Sequence, residues 1–482
     1  MIILYHEHPL KILKYSAKNI WLLIFPLLRG IKAYRLDVNR LYEWVKGSWF
    51  DILIITVILL FGYIRWKFSL ITVTKYSIVH RQGIIFKIKT DIPIKNLSSV
   101  TIEHPFHLRI FGAVKFYADT RSGTTPSNDM HLLLKNKTIT EIMKKIPSVS
   151  QYNSIKYSHK PKLYLILIFS ALFSSSLSGI IYIGTFFFQG GEIAKDIILT
   201  SIDIISAETS KFIISAVPPV IWGIIIFMLS TWIISFIINL IKYSGFSIRH
   251  DSGIIEIKFG YFTKRHFNIS MKKINYIDIR QNVIMKLFRV MSINISCSGY
   301  GSNTKNLPVL VPIITKRTLN ENLSDIVHAR FSISKQYKPK ITSFWQYIWI
   351  SVIISALILP LTSIITYFFP EFHELAVFVT IMAEIPALWS VIVNLTALFT
   401  SGITFNDGYI QINYAKGLSF HTAIAEPEKV ATFQIMQTPF QKFFKKCTVS
   451  IRFGSEVSVR HTVKAIHFDD AMKILDTISS YK

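Results

Sequence analysis

Three basic residues, Arg109, Lys286 and Lys442, each stand two positions before a phenylalanine, in Arg109-Ile-Phe111, Lys286-Leu-Phe288 and Lys442-Phe-Phe444. A cation beside an aromatic ring at a turn can grip an anionic lipid headgroup, each contact contributing about 1 kcal/mol near the surface. The competing reading is a solvated turn residue beside a core phenylalanine. Lys272 and Lys273 form a further basic pair that could serve the same chemistry. Glu384 is a different case, an acid inside an apolar run, two residues before Pro386. A charge at the centre of a bilayer costs roughly 2.5–3.5 kcal/mol, so such residues face a bundle interior and often serve ion pathways. Alternatively the span begins near Ile385 and leaves Glu384 at the outer interface.

Catalytic patterns are thin. His373-Glu374 is not followed by a second histidine at zincin spacing, and there is no P-loop, nucleophile elbow or paired-cysteine zinc pattern. His104-Pro-Phe-His107 has no convincing further ligands, and Gly299-Tyr-Gly301 reads as a hairpin turn. No enzyme, cofactor or metal is expected.

The elements that must position these residues repeat three times. A shift of 177 positions lays Gly83 on Gly260, Lys95 on Lys272, Val100 on Ile277, Ile102 on Ile279 and Phe111 on Phe288 without a gap. A shift of 333 lays Val100 on Phe433, Ile102 on Ile435 and Phe111 on Phe444. Repetition at this scale means one structural unit used three times. The overlay predicts that Phe111, Phe288 and Phe444 are buried in their domains.

Between the repeated blocks lie long apolar runs. The chain is 51% hydrophobic and 17% charged over 482 residues, against roughly 25% charged in soluble domains. Leu163 to Phe188, Phe212 to Ile241 and Ile341 to Pro370 contain no Asp, Glu, Lys or Arg. A spanning helix needs about 20 apolar residues. Trp49 to Ile64 and Leu375 to Phe399 are further spans; Leu10 to Leu28 is a short span or a re-entrant segment. Arg29 to Ser48 has the three/four spacing of an interfacial helix. The net charge of +26 gathers in the three blocks, and positive flanks stay in the cytoplasm. No nucleic-acid motif accompanies these charges. Two cysteines, Cys297 and Cys447, make no disulfide framework.

The expected fold is α+β, transmembrane helical hairpins alternating with three bent β-sheet domains, each closed by a C-terminal helix. The divisions are an N-terminal hairpin over 1–66, domain one over 67–155, a hairpin over 160–241, domain two over 242–335, a hairpin over 341–399 and domain three over 400–482. The closing helices fall at Thr138 to Ile146, Arg317 to Ala329 and Asp469 to Ile478.

The run Tyr76-Ser-Ile-Val-His80, Gly83-Ile-Ile, Ile92-Pro-Ile-Lys-Asn-Leu-Ser-Ser-Val100 and Leu108-Arg-Ile-Phe-Gly112 resembles the bacterial pleckstrin-homology-like (bPH) domain. The second copy has Ser270 for the proline and Arg289 for the glycine; the third has Lys445 in the glycine position. Three such domains, each after a hydrophobic hairpin, are similar to the YdbT-type bacterial membrane proteins, and His8-Pro9 before the first apolar segment fits. The resemblance implies a seven-stranded bent sheet capped by a helix in each domain. It also implies a non-enzymatic envelope protein, with some relatives linked to immunity against bacteriocins and other membrane-active peptides. Expected partners are membrane lipids, anionic ones included, and a second membrane protein of the same family. The competing class is a transporter or channel with a path through the bundle at Glu384.

Overall fold

The computed structural model describes residues 4–16, 49–74, 76–83, 86–120, 129–145, 157–173, 219–251, 253–297, 309–319, 336–370, 373–406, 408–454 and 459–481. The interfacial helix expected at Arg29 to Ser48, the hairpin at Gly299 to Gly301 and most of the helix expected at Arg317 to Ala329 lie outside these residues.

Module one comprises β1 (Leu4–His6), α1 (Trp49–Lys67), β2 (Leu70–Val73), β3 (Ser77–Gln82), β4 (Ile88–Pro93), β5 (Leu97–Pro105), α2 (Phe106–Arg109), β6 (Ala113–Thr120), β7 (Met130–Lys135) and α3 (Asn136–Lys145). Module two follows with β8 (Tyr157–His159), α4 (Leu163–Phe173), α5 (Pro219–Tyr243), β9 (Ser247–Asp251), β10 (Ile254–Phe259), β11 (Thr263–Ser270), β12 (Ile274–Asn282), α6 (Val283–Leu287), β13 (Val290–Cys297) and β14 (Val309–Thr315). Module three has α7 (Phe344–Phe368), α8 (His373–Thr400), β15 (Gly402–Asn406), β16 (Tyr409–Lys416), β17 (Ser419–Ala425), β18 (Val430–Met436), α9 (Pro439–Phe443), β19 (Lys446–Phe453), β20 (His461–His467) and α10 (Phe468–Ser480).

The strands carry the Ile, Val, Phe and Tyr content that suits a pleated, half-buried surface. At the same place in each copy a 3-10 turn interrupts them: Ile94–Asn96, Met271–Lys273 and Pro427–Lys429. Strands before and after that turn belong to different sheets. The sheet β7-β6-β5-β11-β10-β9-β8 joins the second half of module one to the first half of module two. The sheet β14-β13-β12-β17-β16-β15 joins modules two and three in the same way. Half-sheets remain at the ends: β1-β2-β3-β4 and β18-β19-β20. The expectation of one self-contained bent sheet per domain is therefore corrected, because backbone pairing runs across the domain boundaries.

The two joints use one register. Val100 faces Asn268, and Ile277 faces Ile424. Asn268 and Ile424 stand 156 positions apart, as do Ile277 and Phe433. Each joint adds side-chain contacts. Arg265 Nε donates to Glu103 at 2.9 Å across the first. Across the second, His421 Nδ1 lies 2.8 Å from an Asp278 carboxylate oxygen, and Lys429 Nζ donates to the Ile274 carbonyl at 2.9 Å.

The apolar cores mostly stay within modules. Phe116, Leu132 and Leu134 pack with Ile71, Ile78 and Ile142 of α3 in module one. In module three Cys447, Val449 and Ile451 pack with Ala471, Ile474 and Ile478 of α10, at the three/four spacing of one helix face. The closing helices α3 and α10 match expectation to within two residues. Cys297 and Cys447 are both free and buried, and burial pushes the Cys447 thiol up to about 11.

Only residues Ile341–Phe368, among those described, form a helix long and apolar enough to cross a membrane. Its neighbour α8 runs antiparallel beside it, with Pro386 inside. Three polar pairs connect the two: Thr362 with Thr380, Ser355 Oγ donating to Glu384 at 2.7 Å, and Asn394 Nδ2 donating to Ser351 Oγ at 2.8 Å.

The expected burial of Phe111, Phe288 and Phe444 is contradicted, for they are 62%, 59% and 47% exposed. Phe288 and Phe444 follow short helices whose inward residues are Met285 in α6 and Gln441 in α9, while α2 before Phe111 buries none of its residues. Truncating a buried Phe costs about 3–5 kcal/mol. Phe453→Ala, in the core of module three, is therefore expected to lower the thermal midpoint of the detergent-purified chain by several degrees, while Phe444→Ala leaves it nearly unchanged. Reaction of the buried thiols with a fluorogenic maleimide during heating provides the readout.

Candidate functional site: a basic, aromatic base beneath three modules

Side-chain and backbone contacts define a common base where the modules meet their apolar helices. In module one, His8, at the start of the helical residues 10–16, lies with Nε2 3.1 Å from the Phe111 carbonyl, just past α2. In module two, the β10–β11 turn rests on the end of α5, with Gly260 N–H donating to Ser244 O at 2.9 Å. In module three, Lys446 Nζ donates to Thr342 beside the start of α7, and Tyr347 of α7 donates to the Lys464 carbonyl. Val283 of α6 and Phe420 of β17 pack into the same cluster as Tyr347, Val393 and Leu398. All three short helices, α2, α6 and α9, thus lie on the side from which the apolar helices emerge.

Sequence sets these helices locally. Asn282 Oδ1 accepts from Met285 N–H at 2.7 Å to cap α6. Thr438 and Gln441 form a reciprocal capping box on α9, with Pro439 at its first position. The outward faces carry Phe106, Ile110 and Phe111; Ile284, Leu287 and Phe288; and Phe440, Phe443 and Phe444. Phe443 is 83% exposed. Recurrence of such side chains on one side of the molecule marks an interaction surface rather than scattered surface apolars.

The basic residues interleave with this apolar surface. Arg109 is exposed, its guanidinium 5.6 Å from the Phe106 ring centre. Lys442 is exposed on α9. Lys286 is half-buried, with Nζ 3.6 Å from the ring centre of Phe420, so it also contributes to the second joint. The position after each phenylalanine has a left-handed backbone: Gly112 at φ 67°, Arg289 at 54° and Lys445 at 52°. A non-glycine residue there costs roughly 1–2 kcal/mol. Open space surrounds the position a Cβ would take at Gly112. Copies two and three therefore accept backbone strain and place one more cation each at the base.

Lys272 and Lys273 are elsewhere. They precede β12, whereas Lys286 follows it, and nine residues of strand separate the two ends. At about 3.3 Å per residue that is roughly 30 Å, several Debye lengths at physiological salt. The five basic candidates thus form two regions. Lys272 and Lys273 line a cleft of about 340 Å³ at the first joint with Lys95, Ser98 and Asn268. Lys272 also borders a cleft of about 230 Å³ at the second joint, with Tyr276, Tyr409 and Lys429.

Glu384 lies inside α8, past its start at His373 and just before that helix's apolar stretch Pro386–Thr400. One carboxylate oxygen accepts from Ser355; the other is enclosed without a partner. Among the described residues no group of three His, Cys, Asp or Glu side chains could hold a metal ion.

Sequence reading missed a buried polar knot at the root of module one. Glu7 is fully buried, with Lys11 Nζ 2.6 Å from Oε1, Ser69 donating to Oε2 at 2.8 Å and the Leu133 N–H reaching Oε1. Its only signal was a Glu-x-x-x-Lys spacing just before an apolar run. A second knot crosses the second joint, where Tyr276 and Tyr414 flank His461, whose Nδ1 lies 3.0 Å from the Tyr414 hydroxyl.

Three linked modules of antiparallel strands, the first and third with a described closing helix, set on apolar helices, define a PH-domain membrane protein. The chain belongs to the bacterial PH domain family, whose model matches residues 20–145, 197–325 and 348–482. It is 26% identical over 271 residues to the UPF0699 transmembrane protein YdbT of Bacillus subtilis (strain 168), covering 54% of this chain and 52% of that protein. The match thus spans about half the length of this curated relative. No solved structure matches.

Burial pulls His461 down to about 4, against about 6.5 in the unfolded chain. A depressed histidine contributes stability that is complete above pH 6.5 and lost as pH falls through 4. The thermal midpoint should decline across that window, and His461→Gln should flatten that part of the decline. Lys445→Gly should leave the thermal midpoint unchanged or raised, because the left-handed strain is relieved.

Proposed function

We propose that this protein is a multi-pass scaffold of the bacterial cell membrane, with both termini and all three PH modules on the cytoplasmic side. In this reading the modules rest on the lipid surface through α2, α6 and α9, and the protein serves envelope protection against membrane-active peptides such as bacteriocins. The carrying observation is the placement of three aromatic, basic short helices on the side from which the apolar helices leave. Phenylalanines enter the headgroup boundary while Arg109, Lys286, Arg289, Lys442 and Lys445 meet anionic headgroups. Anchorage by the apolar helices supplies a high local concentration, so weak contacts suffice. A surface held this way can occupy anionic lipid that a cationic peptide would otherwise use.

The transporter alternative rests on Glu384. Its bond to Ser355, in line with the Thr362–Thr380 and Ser351–Asn394 pairs, favours a structural role in which the acid fastens α7 to α8. Glu384→Gln keeps the shape and hydrogen-bonding capacity and should preserve expression, thermal midpoint and any protection against peptide. Loss of protection at normal expression would support a proton or cation path instead.

For the lipid contact, Phe443→Trp in the full chain reconstituted into liposomes should emit at blue-shifted wavelengths and be quenched by lipids brominated high on the acyl chain. Unquenched, water-like emission would refute the bilayer contact. Changing Arg109, Lys286 and Lys442 together to Gln should reduce the enrichment of anionic lipid around the purified chain, most visibly at low salt.

A further inference from the structure

The two joints inside the chain use equivalent strands, β5 with β11 and β12 with β17. The third equivalent of β5 and β12 is β18, and the first equivalent of β11 and β17 is β4. In the sheet order each of these stands at an end, β4 after β3 and β18 before β19. Among the described residues no strand pairs with the outer edge of either. A series of three modules joined head to tail therefore ends with one unused donor face and one unused acceptor face of the same joint.

The irregularity of β18 between Val430 and Thr432 recurs in β5 and β12, which nevertheless pair across the joints, and β18 has no charged or proline protection. Val430-Ala-Thr-Phe-Gln-Ile-Met436 contains no charge, proline or glycine. Ala431, Thr432 and Gln434 are exposed, and Met436 is 38% exposed. An uncharged exposed edge of this length invites strand addition unless something covers it. On the other edge, Ile88 is 54% exposed, with Lys89 and Asp91 beside it.

We propose that β18 of one copy pairs with β4 of a second copy, continuing the internal joint between molecules. The internal register fixes the pairing: Ile435 opposite Lys89, Gln434 opposite Thr90 and Phe433 opposite Asp91. Ile435 and Lys89 are the repeat equivalents of Ile279 and Thr422, which face one another within the chain. Pro93 is the equivalent of Ser270, which lies just beyond the last paired residue of the first joint, Ile269. It therefore interrupts no hydrogen bond. The geometry also suits a membrane. Successive modules keep their bases on one side, so the joint relates neighbours within the membrane plane, and every copy inserted in the same orientation presents a compatible edge. Such a contact is heterologous: it closes into a ring or extends as a row. A ring would contain a multiple of three modules. A continuous belt of modules would cover far more lipid surface than isolated chains, which deepens the protective reading above without depending on it.

Two differently tagged full-length copies are co-expressed, one with Gln434→Cys or Ile435→Cys, the other with Thr90→Cys or Lys89→Cys. Membranes are oxidised with copper phenanthroline. Ile279→Cys with Thr422→Cys in a single chain shows that a cross-joint pair can oxidise. The proposal requires a product carrying both tags for at least one facing pair, lost when the donor chain also carries Thr432→Lys and Met436→Lys to protect the edge. Absence of that product for both facing pairs, while the internal control oxidises, overturns it. So does a product that carries one tag and a different protein, which would assign the edge to another partner. The lipid-quenching result at Phe443 is read separately, so failure of either idea leaves the other intact.

Discussion

The backbone hydrogen-bond ladder across the module boundaries is the constraint on which the rest of this molecule depends. An unpaired strand edge presents a row of donors and acceptors that must be satisfied by water or by another strand. Here β5 and β12 are satisfied by the following module. That choice ties three apolar cores to one another, fixes their common orientation, and sets the three short helices on one side. It also creates the clefts at the joints, because the 3-10 turn that carries Lys272 and Lys273 is where one sheet ends and the next begins.

Placement on one side turns weak motifs into a surface. A single Arg-x-Phe turn carries little information, since an exposed phenylalanine alone is ordinary. Three of them beneath the modules, with two strained left-handed positions occupied by Arg289 and Lys445, form a pattern that stability alone does not explain. Glycine would fit those positions more comfortably, so the cations are retained at some cost in folding free energy.

Between the two long helices the logic is different. Ser355, Glu384, Thr362, Thr380, Ser351 and Asn394 join α7 to α8 through polar pairs. Pairs of this kind hold a hairpin together, and a hairpin held together is a firm post for module three. The buried Glu7–Lys11 knot anchors the root of module one by a related means: a buried carboxylate is tolerated because Lys11, Ser69 and a backbone N–H surround it.

Much of this was legible in the chain. The threefold overlay, the apolar runs, the closing helices α3 and α10 and the strand-rich blocks follow from periodicity and residue type, because those patterns are local or repeat along the sequence, and the family follows from the resemblance carried by the run from Tyr76 to Gly112. The side on which Phe111, Phe288 and Phe444 lie was not legible. A phenylalanine two residues past a cation has the same local pattern whether it faces a core or the surface, and the sheet set the outcome. Nor did spacing reveal that Lys286 and the Lys272–Lys273 pair sit at opposite ends of one strand, or that Glu384 meets Ser355, 29 residues away. Strand partners across module boundaries were the furthest out of reach. Backbone groups are identical in every residue, so which edge meets which is decided only when the modules fold beside one another.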